Sequence, residues 1–416
     1  MQILDARKGV VTGEMKAVAK KEGLSADFIR RKVALGRVVL MRSGAQALGI
    51  GEGLRTKTNA NVGMSPDRAK PAEEVAKAKA AADAGADTVM DLSIAGDADG
   101  LLRRIARTSK IPVGCVPVYS AVLAGKKKGR GMVDLTDGDF LSALERHAAI
   151  ADFVTVHAAI TRAGAELAGK RSLKVVSRGG CFLTAWMAHN REENPYLSNF
   201  DQVLEIMKRR DTVLSLGDAL RPGCIADAGD KAQVLELVVQ GRLVKRALKA
   251  GVQVICEGPG HMPLNKIEAN VRLQKRLCSG VPYYVLGPLV TDIAVGYDHI
   301  TAAIGGTVAA AAGADFLCVV TPSEHVALPD LDDVREGVIA ARIAAHSADI
   351  VKRMDLKRDL AMTIARGKLD WEGQFALALT REKAEKYRKR RGSSSKACSM
   401  CGEYCAYKIS EAALGR

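Results

Sequence analysis

Short, continuously apolar runs recur along the middle of this chain, and segments of helical periodicity separate most of them. The runs cover residues 54–62, 88–92, 113–118, 153–157, 174–177, 213–218, 252–257, 283–287 and 316–320. Runs that are apolar throughout, instead of alternating, belong to strands buried on both faces, as in a parallel sheet covered by helices. Residues 72–84, 201–209 and 230–250 carry the helical pattern between them. Eight or nine such units over about 270 residues predict an α/β fold, a (β/α)8 barrel. Nine candidates for eight places leave one run outside the ring. Ala84-Gly85-Ala86-Asp87 and Ala312-Gly313-Ala314-Asp315 repeat one helix-to-strand turn, with glycine at the helix end. A doubly wound open sheet is the alternative, but no glycine fingerprint follows the first strand.

The rhythm has a beginning and an end. Residues 1–50 are expected to form a small N-terminal helical region, with helices over 14–22 and 25–35 and Ser25 placed as a cap. Residues 51–346 make up the barrel, and residues 347–416 a C-terminal tail. In that tail residues 374–391 are helix-patterned, and the polar linker Gly392-Ser393-Ser394-Ser395-Lys396 comes next.

Composition agrees with a repetitive α/β enzyme: 48% hydrophobic, only 4% aromatic, and 40 glycines. No apolar run approaches a membrane span and no signal peptide opens the chain, so a cytoplasmic protein without a membrane partner is expected. The net charge of +15 raises the question of nucleic acid. Its densest pieces, residues 126–130 and 386–391, lack the interleaved aromatics of a single-strand platform and form no groove-reading helix. An anionic small substrate and solvated surface account for the excess, and no nucleic-acid partner is expected.

Candidate chemistry is concentrated in the tail and at strand ends. Cys398, Cys401 and Cys405 lie within eight residues, around Gly402. Three thiolates this close can hold a [4Fe–4S] cluster that keeps one iron open for a small molecule. A structural zinc wants a fourth ligand, and the eleven residues after Cys405 offer no Cys or His. Zinc completed from elsewhere and a tail of free thiols are the other readings. Cys115, Cys181, Cys224, Cys256, Cys278 and Cys318 sit in mostly apolar segments and read as reduced core residues.

In a barrel, functional groups gather at the C-terminal ends of strands. Asn59, Asn61, Met90, Asp91, Tyr119 and His157 stand at such ends. Ser177-Arg178-Gly179-Gly180 is suited to a phosphate, and Asp218-Ala219-Leu220-Arg221 and Glu257-Gly258-Pro259-Gly260-His261 supply further polar loops. His261, His299 and His325 each come after a strand-like run, with Glu257, Asp298 and Glu324 nearby. They are metal ligands at the barrel mouth or hydrogen-bonded structural histidines. His147, His189 and His346 receive no role.

Ser177-Arg178-Gly179-Gly180, the segment from Leu220 to Asp227, Glu257-Gly258-Pro259-Gly260-His261, Gly296-Tyr297-Asp298-His299-Ile300 and the cysteine loop resemble the thiamine pyrimidine synthase family over nearly the whole chain. The resemblance implies a radical S-adenosylmethionine enzyme acting on 5-aminoimidazole ribotide. It implies a barrel core, a homodimer, an external electron donor and a cluster on the tail. By position, Asn61, Met90, Tyr119, His157, Ser177, Arg178, Gly179, Asp218, Ala219, Leu220, Arg221, Glu257 and Tyr284 would line the substrate pocket. His261 and His325 would hold zinc, leaving His299 unassigned, and Cys398, Cys401 and Cys405 would hold the cluster.

The chain departs from the family pattern in several places. The last two cysteines are one residue closer together than in the longer members. Ser93-Ile94-Ala95 stands where Ser-Thr-Gly is expected, Ala159 and Ala219 where glycine is, and Val295 where proline is. The changes resemble a sister branch, 5-hydroxybenzimidazole synthase, which turns the same ribotide into a lower-ligand base of cobalamin. That product is the expectation here, with the thiamine pyrimidine phosphate as the alternative. A metal-dependent barrel hydrolase or aldolase using His261 and His325, and a basic nucleic-acid binder with a zinc-knuckle tail, are the readings from other classes.

Overall fold

Eight of the nine apolar runs are strands, and they close on one another. The structure, a computed structural model, describes residues 1–43, 46–393 and 396–415. An antiparallel hairpin comes first: β1 (Val38–Ser43) and β2 (Gln46–Gly51). Next in the chain are β3 (Lys57–Val62), β4 (Thr88–Asp91), β5 (Val113–Cys115), β6 (Phe153–Val156) and β7 (Val213–Leu216). β8 (Val254–Gly258), β9 (Tyr283–Leu286) and β10 (Phe316–Cys318) complete the set. β3 to β10 pair in chain order and β10 returns to β3, so the parallel sheet is a closed eight-stranded barrel. Every residue of β4, β6 and β7 is buried, inward against the barrel filling or outward against helices, which is why these runs do not alternate.

The repeated Ala-Gly-Ala-Asp turn acts twice over. Gly85 and Gly313 take φ of +94° and +123°, where a side chain would be strained. The carboxylates of Asp87 and Asp315 then accept the backbone N–H of Thr58 and Tyr283 on the adjoining strand, at 2.9 and 3.0 Å. Asp152 does the same for Val113 at 2.8 Å.

The ninth run, residues 174–177, is not a strand. Lys174 takes a left-handed φ of 56°, and Ser177 caps the helix Arg178–Asn190. The N-terminal region is not purely helical either. Helices Gly13–Glu22 and Ala26–Ala34 form, with Ser25 Oγ accepting from Phe28 N at 3.1 Å, but the β1–β2 hairpin comes after them. Gln253 keys that hairpin to the barrel, accepting from Leu40 N at 2.7 Å and donating to Leu40 O at 3.1 Å. The buried Lys57 on β3 pairs with the buried Glu22 at 3.0 Å.

The chain divides into two compact units, Met1–Lys352 and Arg353–Arg416. The helix Leu331–Arg353 runs on past position 346. In the second unit the patterned stretch 374–391 is two helices, Trp371–Leu377 and Arg381–Arg390, interrupted where Ala378 turns extended. Arg388 stacks over the Trp371 ring at 3.6 Å, and the indole N–H donates to Lys396 O at 2.9 Å. Ser394 and Ser395 of the polar linker lie outside the described residues. No helix among the described residues is long and apolar enough to cross a membrane.

Candidate functional site

The polar strand ends meet in one cavity of about 90 Å³ inside the barrel mouth. Asn61, Met90, Tyr119, His157, Ser177, Asp218, Arg221, Glu257 and Tyr284 line it, together with Thr155 and Cys318. Each arrives by a local rule. Asn59 and Asn61 are two apart on β3, and Thr155 and His157 two apart at the end of β6, so each pair points the same way. Tyr119 comes from the first turn of the helix Pro117–Lys127, which starts directly after β5.

His157 is buried between two glycines. A Cβ at Gly179 would lie 2.5 Å from its ring, and one at Gly217 2.8 Å. Ser177 Oγ, which accepts from Gly180 N at 3.2 Å, lies 3.2 Å from His157 Nε2. Burial first, and then the positive charge of Arg221, lower the imidazole pKa to about 3, so the ring is neutral. Asp218 faces Arg221 at 3.5 Å, and burial pushes its carboxyl well up despite that cation. Among the described residues, Asp218 Oδ2 and His157 Nδ1 are buried without a hydrogen-bond partner. Such groups are costly to leave unpaired, and a bound polar molecule would satisfy them. Glu257 Oε1 accepts from Thr155 at 2.7 Å and Ser215 at 2.8 Å, and burial raises this carboxyl too.

A second cavity of about 450 Å³ shares Asn61 and Leu92 with the first. Arg178 reaches this larger space, with its guanidinium 5.5 Å from the Tyr119 ring centre. Ile94 is also in its wall.

Three positions expected in the pocket are off its wall. Gly179 provides room for His157. Ala219 and Leu220 are buried, and their N–H groups donate to Glu236 at 2.8 and 2.7 Å. Their part is to hold the loop that carries Asp218 and Arg221. Ala159, expected as a reshaped pocket position, is likewise buried away from both cavities. Cys318, read from sequence as a core thiol, instead faces the cavity.

The three strand-end histidines separate. The rings of His261 and His325 lie 5.2 Å apart, whereas the buried His299 lines a different small cavity. His261 Nδ1 bonds Asp292 at 2.8 Å and His325 Nδ1 bonds Asp298 at 3.1 Å. Each imidazole is therefore oriented by a carboxylate on one nitrogen, leaving Nε2 for a metal. Burial lowers the His261 pKa, which favours the neutral ligand form. Asp292 is invisible in the sequence, because nothing in residues 288–295 marks it as the partner of a histidine 31 positions earlier.

In the tail unit the cysteine loop is a compact turn. Gly402, at φ +57°, donates its N–H to Cys398 O at 3.1 Å, and Tyr404 donates to Cys401 O at 3.0 Å. Cys405 is buried with Leu369 and Ala397, Cys398 is half-buried and Cys401 is exposed. No three His, Cys, Asp or Glu side chains among the described residues already converge as a metal cage.

Comparison with known proteins settles the lineage. Residues 1–412 match the model of the Radical SAM ThiC family. The chain belongs to that family. It is 52% identical to a phosphomethylpyrimidine synthase of Geobacter metallireducens, over 99% of this chain and 97% of that one. It is 54% identical to one from Dehalococcoides mccartyi strain BAV1, over 100% and 98%. A third, from Methanopyrus kandleri, is 52% identical over 100% and 99%.

As a radical SAM ThiC family member the protein is an enzyme, and its cofactors are S-adenosylmethionine, a [4Fe–4S] cluster and zinc. The residues present suit them. Three free thiols in one glycine-containing turn are the right donors for a cluster with an open iron. Two carboxylate-braced imidazoles suit a zinc ion with open positions.

Proposed function

We propose that this ThiC family member converts 5-aminoimidazole ribotide to 4-amino-5-hydroxymethyl-2-methylpyrimidine phosphate. The choice of product is carried by identity at about half of all positions, over the full length, with proteins named phosphomethylpyrimidine synthase. The geometry supports the substrate class. A ribosylated imidazole phosphate offers several donors and acceptors, and the unpartnered Asp218 Oδ2 and His157 Nδ1 wait for such groups. Neutral His157 can accept or donate without bringing charge, and Arg221 and Arg178 supply cations for a phosphate or ribose. The two adjoining cavities, of about 90 and 450 Å³, support a ligand with a small ring and a larger polar appendage.

Cys398, Cys401 and Cys405 are the proposed cluster ligands, and His261 and His325 the proposed zinc ligands. Held there, the cluster would supply the one-electron reductive cleavage of S-adenosylmethionine. An external one-electron donor and a homodimeric state belong to the same reading. Light scattering on the purified protein tests the second of these.

5-Hydroxybenzimidazole remains a second reading, on one observation. Ile94 puts hydrocarbon into the wall of the larger cavity where a hydroxyl is the family pattern. The other substituted positions, Ala95, Ala159, Ala219 and Val295, line neither cavity, and this removes most of the support that sequence lent to that product. Anaerobic turnover followed by mass spectrometry separates the two: a phosphorylated aminopyrimidine or an unphosphorylated hydroxybenzimidazole.

A further inference from the structure

Behind the cavity wall lies a buried side-chain amide, carried by β3, that does not itself line the cavity. Asn59 is 0% exposed. Its Nδ2 donates to Asn61 Oδ1 at 2.9 Å and to the Tyr284 hydroxyl at 2.7 Å. Its Oδ1 accepts from the Thr88 hydroxyl at 2.7 Å. All the side-chain hydrogen-bonding capacity it needs is engaged, and two of its three partners face the cavity.

We propose that Asn59 is a positioning residue that sets the hydrogen-bonding polarity of the cavity floor. Because Asn59 donates to Asn61 Oδ1, the Asn61 amide must turn its N–H groups outward. Nδ2 indeed points to Cys318 Sγ, 3.1 Å away at the cavity wall. Because Asn59 also donates to Tyr284, that hydroxyl keeps its own proton, which it turns, like the Asn61 amide, to the Cys318 thiol at the cavity wall. The floor formed by β3, β10 and β9 thus turns two donors onto one thiol, a weak acceptor that a stronger acceptor on a bound ligand would displace. The part of the ligand it receives is an acceptor, such as an unprotonated ring nitrogen or a carbonyl. Thr88 on β4 holds the amide in this sense by donating to its carbonyl. Nothing on the surface of the cavity reveals this, since Asn59 itself does not line it.

This inference rests on the reading that Asn61 and Tyr284 meet the substrate, and the test keeps the two apart. 5-Aminoimidazole ribotide is titrated calorimetrically into the anaerobic holoenzyme without reductant, so that binding is read without turnover. Asn59→Ala and the isosteric Thr88→Val are each made in the native chain and in an Asn61→Ala/Tyr284→Phe background. Zinc and iron content and the melting curve are followed throughout. In the native chain Asn59→Ala is expected to weaken binding about tenfold, as when a buried donor is lost. Thr88→Val is expected to weaken it in the same direction. In the double background either change adds less than about twofold, because the groups it acts through are gone. Equal losses in both backgrounds, or no loss in the native chain, overturn the proposal. Should Asn59→Ala fail to fold, Thr88→Val carries the same comparison. If Asn61→Ala/Tyr284→Phe itself binds the ribotide like the native enzyme, the substrate assignment fails instead.

Discussion

Two glycines decide what His157 can be. With hydrogen in place of a side chain at Gly179 and Gly217, the imidazole lies flat between backbone segments, shut off from water. Gly179→Ala would place a methyl 2.5 Å from the ring. The expected result is a loss of kcat/KM of about a hundredfold, from displacing a side chain of the proposed substrate pocket. Steady-state kinetics beside a thermal melt would show the kinetic loss exceeding any change in stability. Burial also gives His157 a pH signature. Its folded pKa of about 3 lies below the ordinary value of 6.5, so the folded state binds its proton more weakly than the unfolded chain. The stability it contributes is complete above pH 6.5 and is lost as pH falls from there toward 3. Denaturant titrations across that window should show His157→Gln with a shallower acid limb than the native protein. The difference is about 1.4 kcal/mol per pH unit. Identical limbs would mean that the imidazole is not buried as described.

At the scale of elements, the barrel strands were legible because burial on both faces leaves them apolar throughout. The false ninth strand shows the limit of that signal. Val175 and Val176 look like part of a strand, but the next residue is Ser177, whose hydroxyl caps a helix. The hairpin β1–β2 was hidden because its role depends on Gln253, more than two hundred positions away. Long-range partners hide the supports of the site in the same way: Asp292 behind His261, and the helix Lys231–Ala250 behind the substrate loops. That helix sends Glu236 to the N–H groups of Ala219 and Leu220. One turn later it sends Gln240 to the carbonyls of Leu216, Gly217 and Glu257 at 3.1–3.3 Å. Glu236→Ala should therefore cost about 1–3 kcal/mol in chemical unfolding, two buried donors being left unpaired. Glu236→Gln, which keeps one acceptor oxygen, should cost less. The cysteine turn behaves differently, since it belongs to the unit that comes after Lys352. Cys401→Ser should remove the cluster iron while the barrel melts within about 2 °C of the native protein. Retained iron, measured by anaerobic metal analysis, would contradict the assignment of that thiol.

For the whole molecule, the fold and the family were readable before any coordinate, and the details of recognition were not. A chain that is half identical to its relatives over the full length belongs to their family. Which substituted positions touch the ligand is a matter of three-dimensional placement. Ala159 and Ala219 looked like pocket residues by position and are buried behind it, whereas Cys318 looked like core and faces the ligand space. The metal side divides in the same way. His261 and His325 are expected to hold zinc, so a His261→Ala/His325→Ala variant should lose zinc and keep its cluster iron. Unchanged zinc would send the assignment elsewhere. The proposed radical reaction on aminoimidazole ribotide ends in a phosphorylated pyrimidine. It is tested most directly by one reaction: enzyme, ribotide, S-adenosylmethionine and a strong one-electron reductant without oxygen, read by mass spectrometry. The expected products are 5′-deoxyadenosine, methionine and the aminopyrimidine phosphate together. Deoxyadenosine accompanied by an unphosphorylated hydroxybenzimidazole would contradict the product, and absence of deoxyadenosine would contradict the radical chemistry itself.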